Sequence, residues 1–193
     1  NGKLVSSKKA LNSVNLKPIN LDAKEGLSLI NGTQVSTAIG VKALFESQNL
    51  LLSADIISAL SVEASLSTRQ VFNPAIHKLK KHKGQNLAAK NIYNLLNGSE
   101  ISNSHKNCIK VQDPYCMRCI PHIHGTSWEV FSNSEKTINN EINSISDNPL
   151  IFRNGSVQNS GHFHAEPIAQ TLDSLSIAVS EIGAISERRI HYI

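Results

Sequence analysis

The sequence is poor in several residue types, and each shortage excludes a class of protein. It has three cysteines in 193 residues, an odd number that argues against a full disulfide framework and favours free thiols in a reducing cytoplasm. Aromatic residues make up only 5% and include a single tryptophan. No apolar run approaches the ~20 residues that a membrane-spanning helix needs. The opening residues are polar, so they do not indicate a signal peptide.

The charge balance is basic without indicating a nucleic-acid partner. The net charge is +4 and the sequence pI is about 9.0, but the basic residues are dispersed. Their one cluster, residues 78–83, has no aromatic residues between its lysines, which is more typical of a solvated helix end or loop. The length suits a single domain over residues 1–193. Because both ends look cut, we expect this domain to be a fragment of a longer chain.

Apolar periodicity predicts a mainly α fold, a bundle of long helices. Strand signals are sparse, and residues 150–152 could form one short extended piece. Residues 1–25 and 99–121 lack periodicity and are predicted to be irregular, the second stretch as a loop that carries motifs. The predicted helices cover residues 35–66, 86–96, 126–145 and 168–190.

Histidines and cysteines are frequent between residues 105 and 124, which raises the question of a metal site. Cys116, Cys119 and His122 follow one another at a spacing of three, as zinc ligands can. Structural zinc sites usually need two such pairs with a spacer, and here only one tight pair exists, so no metal is predicted. A thioredoxin-like redox centre is disfavoured too, because no βαβ pattern surrounds the two cysteines.

The most informative motif carries Gln112, Tyr115 and Arg118. A spacing of three predicts that these side chains lie on one side of a helical turn or a tight loop. A guanidinium fork suits a carboxylate, a phenol can transfer a proton, and an amide can orient either group. The motif therefore indicates a substrate that resembles an amino acid.

Three other polar stretches have simpler explanations. In residues 159–167, His and Glu side chains could act as acid and base, but Glu166 also suits a helix N-terminus before Pro167. The run Glu187–Arg189 is explained by a helix C-terminus or a salt bridge between subunits. A nucleophilic pair of Ser102 and His105 is rejected, because such pairs are not built from neighbouring residues.

Taken together, these stretches resemble the aromatic amino-acid lyase family, and within it the histidine ammonia-lyase branch. The run Val-Gln-Asp-Pro-Tyr at 111–115, followed by Arg118 and Cys119, looks like the histidine branch more than the phenylalanine and tyrosine branches. The matching segments are in the family's order and extend over nearly the whole chain: residues 23–34, 104–108, 111–115, 146–150, 163–167, 181–183 and 186–190.

The resemblance implies a reaction and a division of roles. Such enzymes eliminate ammonia from L-histidine to give trans-urocanate, using a methylidene-imidazolone ring made from an internal Ala-Ser-Gly. By resemblance, Asn31 lies beside the ring and the amino-acid end of the substrate, and Arg118 binds the carboxylate. Tyr115 and Gln112 line and polarise the site, with Tyr115 and Asn31 the catalytic residues. Phe163 packs close to the ring.

The sequence also departs from the family pattern. No Ala-Ser-Gly occurs among the 193 residues, so the cofactor triplet is expected upstream of residue 1, and the fragment alone is predicted to be inactive. Asn159-Ser160-Gly161 matches the stretch that leads into Phe163 and is not taken as the triplet. The family usually has other residues where His122, His162 and Cys116 stand, which leaves the substrate less certain than the family.

Three hypotheses remain open at this point. The chain is part of a cytoplasmic histidine ammonia-lyase, active as a homotetramer whose subunits share active sites. Alternatively, the same scaffold belongs to a tyrosine or phenylalanine ammonia-lyase or to an aminomutase. In the third hypothesis the chain is a helical assembly module without catalysis of its own, and its exposed apolar stripes favour association.

Overall fold

The computed structural model describes residues 2–105 and 107–193, so Lys106 of the matching segment 104–108 lies outside the described residues. Within this part the fold is mainly α, as predicted, and none of its helices is long and apolar enough to cross a membrane. The helices are α1 (Ser7–Ser13), α2 (Glu25–Ile30), α3 (Gln34–Ala64), α4 (Pro74–His77), α5 (Lys83–Leu95), α6 (Glu100–Ser104), α7 (Tyr115–Arg118), α8 (Ile120–Ile142) and α9 (Glu166–Tyr192), with a 3₁₀ turn at Arg69–Phe72 and two strands, β1 (Leu150–Ile151) and β2 (Val157–Gln158).

The contacts divide the chain into two compact units. One comprises Asn1–Thr33 with Ser146–His164, and the other Gln34–Ile145 with Ala165–Ile193. The first unit holds α1, α2 and an antiparallel hairpin in which Leu150 pairs with Gln158 and Ile151 with Val157. The predicted extended piece is therefore the first strand of a hairpin. The expectation of a single domain over residues 1–193 stays a prediction.

The second unit is a bundle in which α3, α5, α8 and α9 pack against one another. Two apolar clusters form its core. The first joins α3 and α5 to the segment around α7 through Ala59, Val62, Phe72, Ile92, Leu96, Met117, Ile120 and Ile185. The second lies where α3, α8 and α9 meet and contains Leu51, Ala54, Phe131, Leu175 and Ile182.

Two glycines allow α5 and α8 to approach closely. A Cβ built on Gly84 would overlap the backbone of Gly125, and one built on Gly125 would overlap the backbone of Gln85. Any side chain at either position would force the two backbones apart. The helix α8 begins at Ile120 rather than near residue 126, and Pro121 fits its first turn. Gly125, which by itself does not favour a helix, is required inside it by this packing.

Short helices occur in the two stretches that were predicted to be irregular. In α1, the Ser6 hydroxyl accepts a hydrogen bond from the Lys9 backbone N–H, and in α6 the Ser99 hydroxyl accepts one from the Ser102 N–H. These serine caps satisfy backbone donors that are otherwise unpaired at a helix start. The two helices are too short to produce a visible apolar period, so sequence reasoning missed them.

A buried polar cluster centred on Asp55 ties three helices together. The Asp55 carboxylate on α3 accepts hydrogen bonds from Nδ1 of His124 at 2.7 Å, Nδ2 of Asn91 at 2.9 Å and Nε1 of Trp128 at 3.2 Å. Asp55 is 2% exposed and His124 is fully buried. A buried carboxylate is tolerated only when its oxygens are satisfied in this way.

We predict that Asp55→Ala lowers the free energy of unfolding by about 3–5 kcal/mol, because it leaves three donors unpaired, two of them on the buried face of α8. Urea denaturation followed by circular dichroism measures this. Asp173→Ala, at an exposed position of α9, is the matched control and should stay within about 0.5 kcal/mol of the wild type. Equal effects of the two substitutions would show that the cluster does not hold the bundle.

Candidate active site

The turn that carries Tyr115 and Arg118 is held by buried neighbours. Asp113 is 5% exposed, and its Oδ2 accepts a hydrogen bond from the Thr68 N–H at 2.7 Å. Two residues on, α7 begins at Tyr115, and its Met117 is fully buried in the first core cluster. With Asp113 and Met117 fixed inward, Tyr115 is left exposed and Arg118 half-buried.

Tyr115 and Arg118 lie on one side of this turn, as their spacing predicts. The Arg118 guanidinium carbon lies 5.1 Å from the centre of the Tyr115 ring, and Nε of Arg118 donates a 2.6 Å hydrogen bond to the backbone carbonyl of Asp113. Among the described residues, the two terminal nitrogens of Arg118 have no hydrogen-bond partner. The fork is therefore held at Nε, with its terminal edge available for a carboxylate.

Gln112 precedes the helical turn and lines a different cavity from Tyr115. Pro114 is extended (φ −67°, ψ 164°), so the helical turn starts only after it and the spacing rule does not apply to Gln112. Gln112 instead lines a polar cavity of about 510 Å³ together with Thr68, His105 and Lys110. Tyr115 lines a different groove, of about 980 Å³, with Cys116, Cys119 and residues of α9.

Asn31 and Phe163 belong to the other unit, where residues 146–148 organise the loop around Asn31. The Ser146 hydroxyl accepts a hydrogen bond from the Thr33 N–H at 2.7 Å. The Asn148 carbonyl accepts one from Nδ2 of Asn31 at 3.4 Å, and Asn148 Oδ1 accepts one from the Ser160 N–H at 2.7 Å. The chain on both sides of Asn31 is thus fixed by one short segment.

The third member of this segment, Asp147, forms an ion pair with Lys24 across 2.6 Å. Its carboxylate also accepts a hydrogen bond from the Ser28 hydroxyl at 3.2 Å. Lys24 occupies the left-handed region with φ +77°, which is unfavourable for a residue with a Cβ, and the ion pair stabilises it there. Sequence analysis included Asp147 only as part of the matching segment 146–150 and gave it no role. A polar triplet before a proline was the available signal.

Phe163 is 40% exposed at the end of the stretch that begins with Ser160. Its neighbour His162 is exposed, and Nδ1 of His162 lies 3.0 Å from the Ser160 hydroxyl. The unusual residues His122 and Cys116 lie in the other unit. His122 contacts His77 edge-on with ring centres 5.8 Å apart, and burial, with Lys80 and His77 nearby, lowers the pKa of His122. Cys116 packs against the first core cluster.

The histidines and cysteines do not gather into a metal site. In residues 2–105 and 107–193, no three His, Cys, Asp or Glu side chains come together in an arrangement that could hold a metal ion. Cys108, Cys116 and Cys119 are free and half-buried.

The family assignment follows from comparison with known proteins. The model of the family described as aromatic amino acid lyase matches residues 1–193. The chain belongs to the aromatic amino acid lyase family. This agrees with the resemblance of the motif segments and with the mainly helical fold.

Sequence identity to individual relatives supports the same family. The chain is 45% identical over 192 residues to a histidine ammonia-lyase of Vibrio cholerae, covering 98% of this chain and 38% of the relative. For a histidine ammonia-lyase of Photorhabdus laumondii the identity is 47% over 191 residues, covering 98% and 37%. The chain thus spans a little over a third of the length of these relatives.

Solved structures of this family share the fold. A histidine ammonia-lyase from Trypanosoma cruzi has a TM-score of 0.82 at 40% identity, over 95% of this chain and 34% of the other. A tyrosine aminomutase from Streptomyces globisporus has a TM-score of 0.86 at 29% identity, over 98% and 40%. The aromatic amino acid lyase fold therefore accommodates both chemistries.

We predict that Lys24→Met raises the pKa of Asp147, because the Lys24 hydrogen bond is the main cause that lowers the pKa of this carboxyl below its ordinary 3.8. A lowered folded-state pKa means that the ion pair stabilises the fold fully above about pH 4 and that this stabilisation is lost as the pH falls through the folded-state pKa. Carboxyl ¹³C shifts followed through a pH titration measure the change.

Lys17→Met, at an exposed lysine of the same unit, is the control for loss of a positive charge and should leave the Asp147 titration unchanged. An Asp147 midpoint that is identical in the wild type and in Lys24→Met would contradict the ion pair.

Proposed function

We propose that this chain is part of a histidine ammonia-lyase, which converts L-histidine to trans-urocanate and ammonia without oxidation. The supporting observation is that, among proteins of this fold, the chain has a higher sequence identity to histidine ammonia-lyases than to the others. Chains named histidine ammonia-lyase are 40–47% identical to this one, whereas the phenylalanine and tyrosine aminomutases and the phenylalanine ammonia-lyase are 29–31% identical. The reaction removes the amino group from the α-carbon and a hydrogen from the β-carbon. That β-hydrogen is only weakly acidic.

Arg118 binds the substrate carboxylate in this proposal. The hydrogen bond from its Nε to the Asp113 carbonyl and the nearby Tyr115 ring restrict the guanidinium. A restricted fork loses little entropy when it forms two parallel hydrogen bonds to a carboxylate. The α-carbon and the β-carbon are then held in one orientation, which is the main requirement of an elimination with a weakly acidic hydrogen.

Tyr115 and Gln112 polarise the substrate. Tyr115 is 75% exposed, so its phenol is accessible to donate or accept a proton beside the bound carboxylate. Gln112 presents an amide from the polar cavity that it lines, and an amide supplies both donors and an acceptor to orient a substrate.

Asn31 and Phe163 fit the methylidene-imidazolone ring that the family implies. Asn31 is half-buried and has two amide hydrogens, of which one donates to the Asn148 carbonyl; the other suits a ring carbonyl oxygen. Phe163 offers an apolar face. When bound, the ring supplies an electrophile for the amino group. The 193 residues contain no Ala-Ser-Gly, so the ring would come from residues outside them.

The proposed enzyme is a cytoplasmic homotetramer whose subunits share active sites, and it acts on a small molecule rather than on nucleic acid. The supporting observation is the exposed apolar surface of α3. Large apolar side chains that are more than half exposed follow one another along this helix, at Val35, Ile39, Phe45, Ile56, Ile57 and Leu60. Such a surface is typical of one covered by other subunits.

We predict that the double substitution Phe45→Glu and Ile56→Glu weakens self-association of the chain, since two carboxylates would be desolvated in a contact that excludes water. Light scattering coupled to gel filtration, over a range of concentrations, measures the mass. Ser53→Glu, at an exposed polar position of the same helix, adds the same charge and serves as the control. A monomeric wild-type chain at every concentration would contradict the proposal.

The catalytic proposal is tested in a chimera in which this chain replaces the matching segment of the Vibrio cholerae histidine ammonia-lyase. The chimera should form urocanate from L-histidine, which is followed by its ultraviolet absorbance. Arg118→Met should reduce kcat/KM by roughly 10–100-fold, the loss expected for one charge-assisted contact. Arg118→Lys should recover only part of it, because a lysine does not present a planar fork.

Arg153→Met, in the exposed turn between β1 and β2, is the matched control and should leave kcat/KM unchanged. The isolated chain should form no urocanate above background. L-Tyrosine and L-phenylalanine are assayed in parallel, both for release of ammonia with the unsaturated acid (aryl lyase) and for their β-amino isomers (aminomutase). If the chimera folds but prefers either of them to L-histidine, the aminomutase or aryl lyase alternative replaces the proposal.

A further inference from the structure

A buried histidine attaches α4 to the bundle. In α4, all of which the structure describes, His77 is the one buried residue, and it is 1% exposed. Its Nε2 lies 2.8 Å from the Val71 carbonyl oxygen in the 3₁₀ turn, and its Nδ1 lies 2.9 Å from Nε2 of Gln85 on α5. The attachment of α4 therefore depends on two hydrogen bonds of one imidazole.

These two partners define the protonation state of His77. A carbonyl oxygen only accepts, so Nε2 carries the hydrogen of the bond to Val71. The amide nitrogen of Gln85 only donates, so Nδ1 accepts and carries no hydrogen, and the ring is the neutral imidazole. A proton added at Nδ1 would face a donor, and Gln85 is itself 5% exposed. The bond would break unless the Gln85 amide turned over inside the protein.

A second histidine lies against the first. The ring of His122 on α8 contacts that of His77 edge-on, with 5.8 Å between the ring centres and 63° between the planes. His122 is half-buried, and its Nδ1 is buried without a hydrogen-bond partner in residues 2–105 and 107–193. Positive charges on the two rings would repel each other in a partly desolvated place.

The charges that neighbour the two rings along the chain are positive. The connection from α4 to α5 brings exposed lysines at residues 78, 80, 81 and 83, and the Lys80 backbone N–H donates a 3.1 Å hydrogen bond to the His77 carbonyl. The 3₁₀ turn carries a further cation, Arg69. Burial first, and then Lys80 and His77, lower the pKa of His122.

The acidic side chains of the packed helices are already engaged. Glu129, the first acid along α8 after His122, accepts a 2.9 Å hydrogen bond from the Gly84 N–H, and Asp55 on α3 is bound by its three donors. The helix α5 (Lys83–Leu95) has no acidic residue. No carboxylate in the described part of the chain forms an ion pair with either ring, so an added proton has no anion to offset it.

We propose that His77 and His122 form an acid-sensitive joint, which releases α4 and the lysine-rich connection (residues 74–82) from α5 and α8 as the pH falls below about 6.5. When the rings take up protons, they repel each other and the lysines, and His77 loses its hydrogen bond from Gln85. Because His77 is the one buried residue of α4, no apolar contact of comparable burial holds this helix in its place.

The opening has a boundary on each side of α5's first turn. The other hydrogen bonds that tie the connection to α5 run from Nδ2 of Asn86 to the carbonyls of Lys80 and His82, and they are exposed, so water competes with them. Gly84 is held against the backbone of Gly125. The bundle beyond Gly84 therefore stays packed when the joint opens.

The joint loses stability on the acid side of neutrality. Because the pKa of His122 is lowered in the folded chain, the open state binds more protons below the ordinary value of 6.5. The closed joint is fully stable above about pH 6.5 and becomes less stable as the pH falls from there through the lowered folded-state pKa. This inference does not rest on the proposed function, and its test uses no lyase activity.

Hydrogen exchange followed by mass spectrometry tests the joint in the full chain. Protection of the backbone amides is compared at about pH 7.5 and about pH 5.5, after correction for the intrinsic exchange rate. Peptides that cover residues 74–82 should lose protection by roughly tenfold at the lower pH. Peptides from α3, whose register is held by Asp55, should keep theirs.

Substitution of His122 then tests its part in the joint. His122→Gln puts an amide, which takes up no proton in this range, in place of the ring, and it should reduce the acid-induced loss to about threefold or less. His82→Gln removes an exposed histidine of the same connection and is the matched control, so its loss should equal that of the wild type. Circular dichroism verifies that each variant folds.

Three results would overturn the inference: unchanged protection of residues 74–82 at the lower pH, an equal loss of protection in all helices, or the full wild-type loss in folded His122→Gln. If His122→Gln does not fold, a nuclear magnetic resonance titration of the wild-type ring decides. A midpoint of His122 below 6.5 supports the joint, and one at or above 6.5 contradicts it.

Discussion

The Asp55 carboxylate is the constraint on which the helical bundle depends. Apolar contacts bring helices together but leave their axial register poorly defined, since one turn of shift exchanges one apolar side chain for another. Asp55 accepts hydrogen bonds from α5 and α8 at once, and any sliding of these helices would leave a buried charge and its donors unpaired. With α3, α5 and α8 fixed in this way, the close approach of Gly84 to Gly125 follows.

The position of the candidate carboxylate-binding turn follows from this register. Met117 and Ile120 are fully buried in the cluster formed by α3 and α5, and Asp113 holds the turn to Thr68. Between these anchors the backbone has no freedom to rotate Arg118 inward. The half-buried position of Arg118 is therefore a consequence of how its apolar neighbours pack.

In the other unit, a polar segment has the same effect that apolar packing has in the bundle. Ser146, Asp147 and Asn148 bind the loop from Lys24 to Thr33 by side-chain and backbone hydrogen bonds. Few side chains of this unit are buried, so these bonds rather than an apolar core fix Asn31. A proposed contact with an electrophilic ring requires such fixation, because an amide that rotates freely does not hold one hydrogen bond in place.

The sequence by itself determined the family and the long helices. The motif segments are short runs of neighbouring residues, so they can be recognised without knowledge of the fold. Helices such as α3 and α9 are long enough for their apolar residues to repeat several times along the sequence. Tertiary structure decided the start of α8, where Gly125 packs against Gln85, and the placement of Gln112 and Tyr115 along two different cavities. It also decided that Asp55 and Asp147 organise the two units and that Arg189 is buried. The physical reason is that periodicity records only neighbours along one helix, whereas partners such as Lys24 and Asp147 lie 123 residues apart in the sequence.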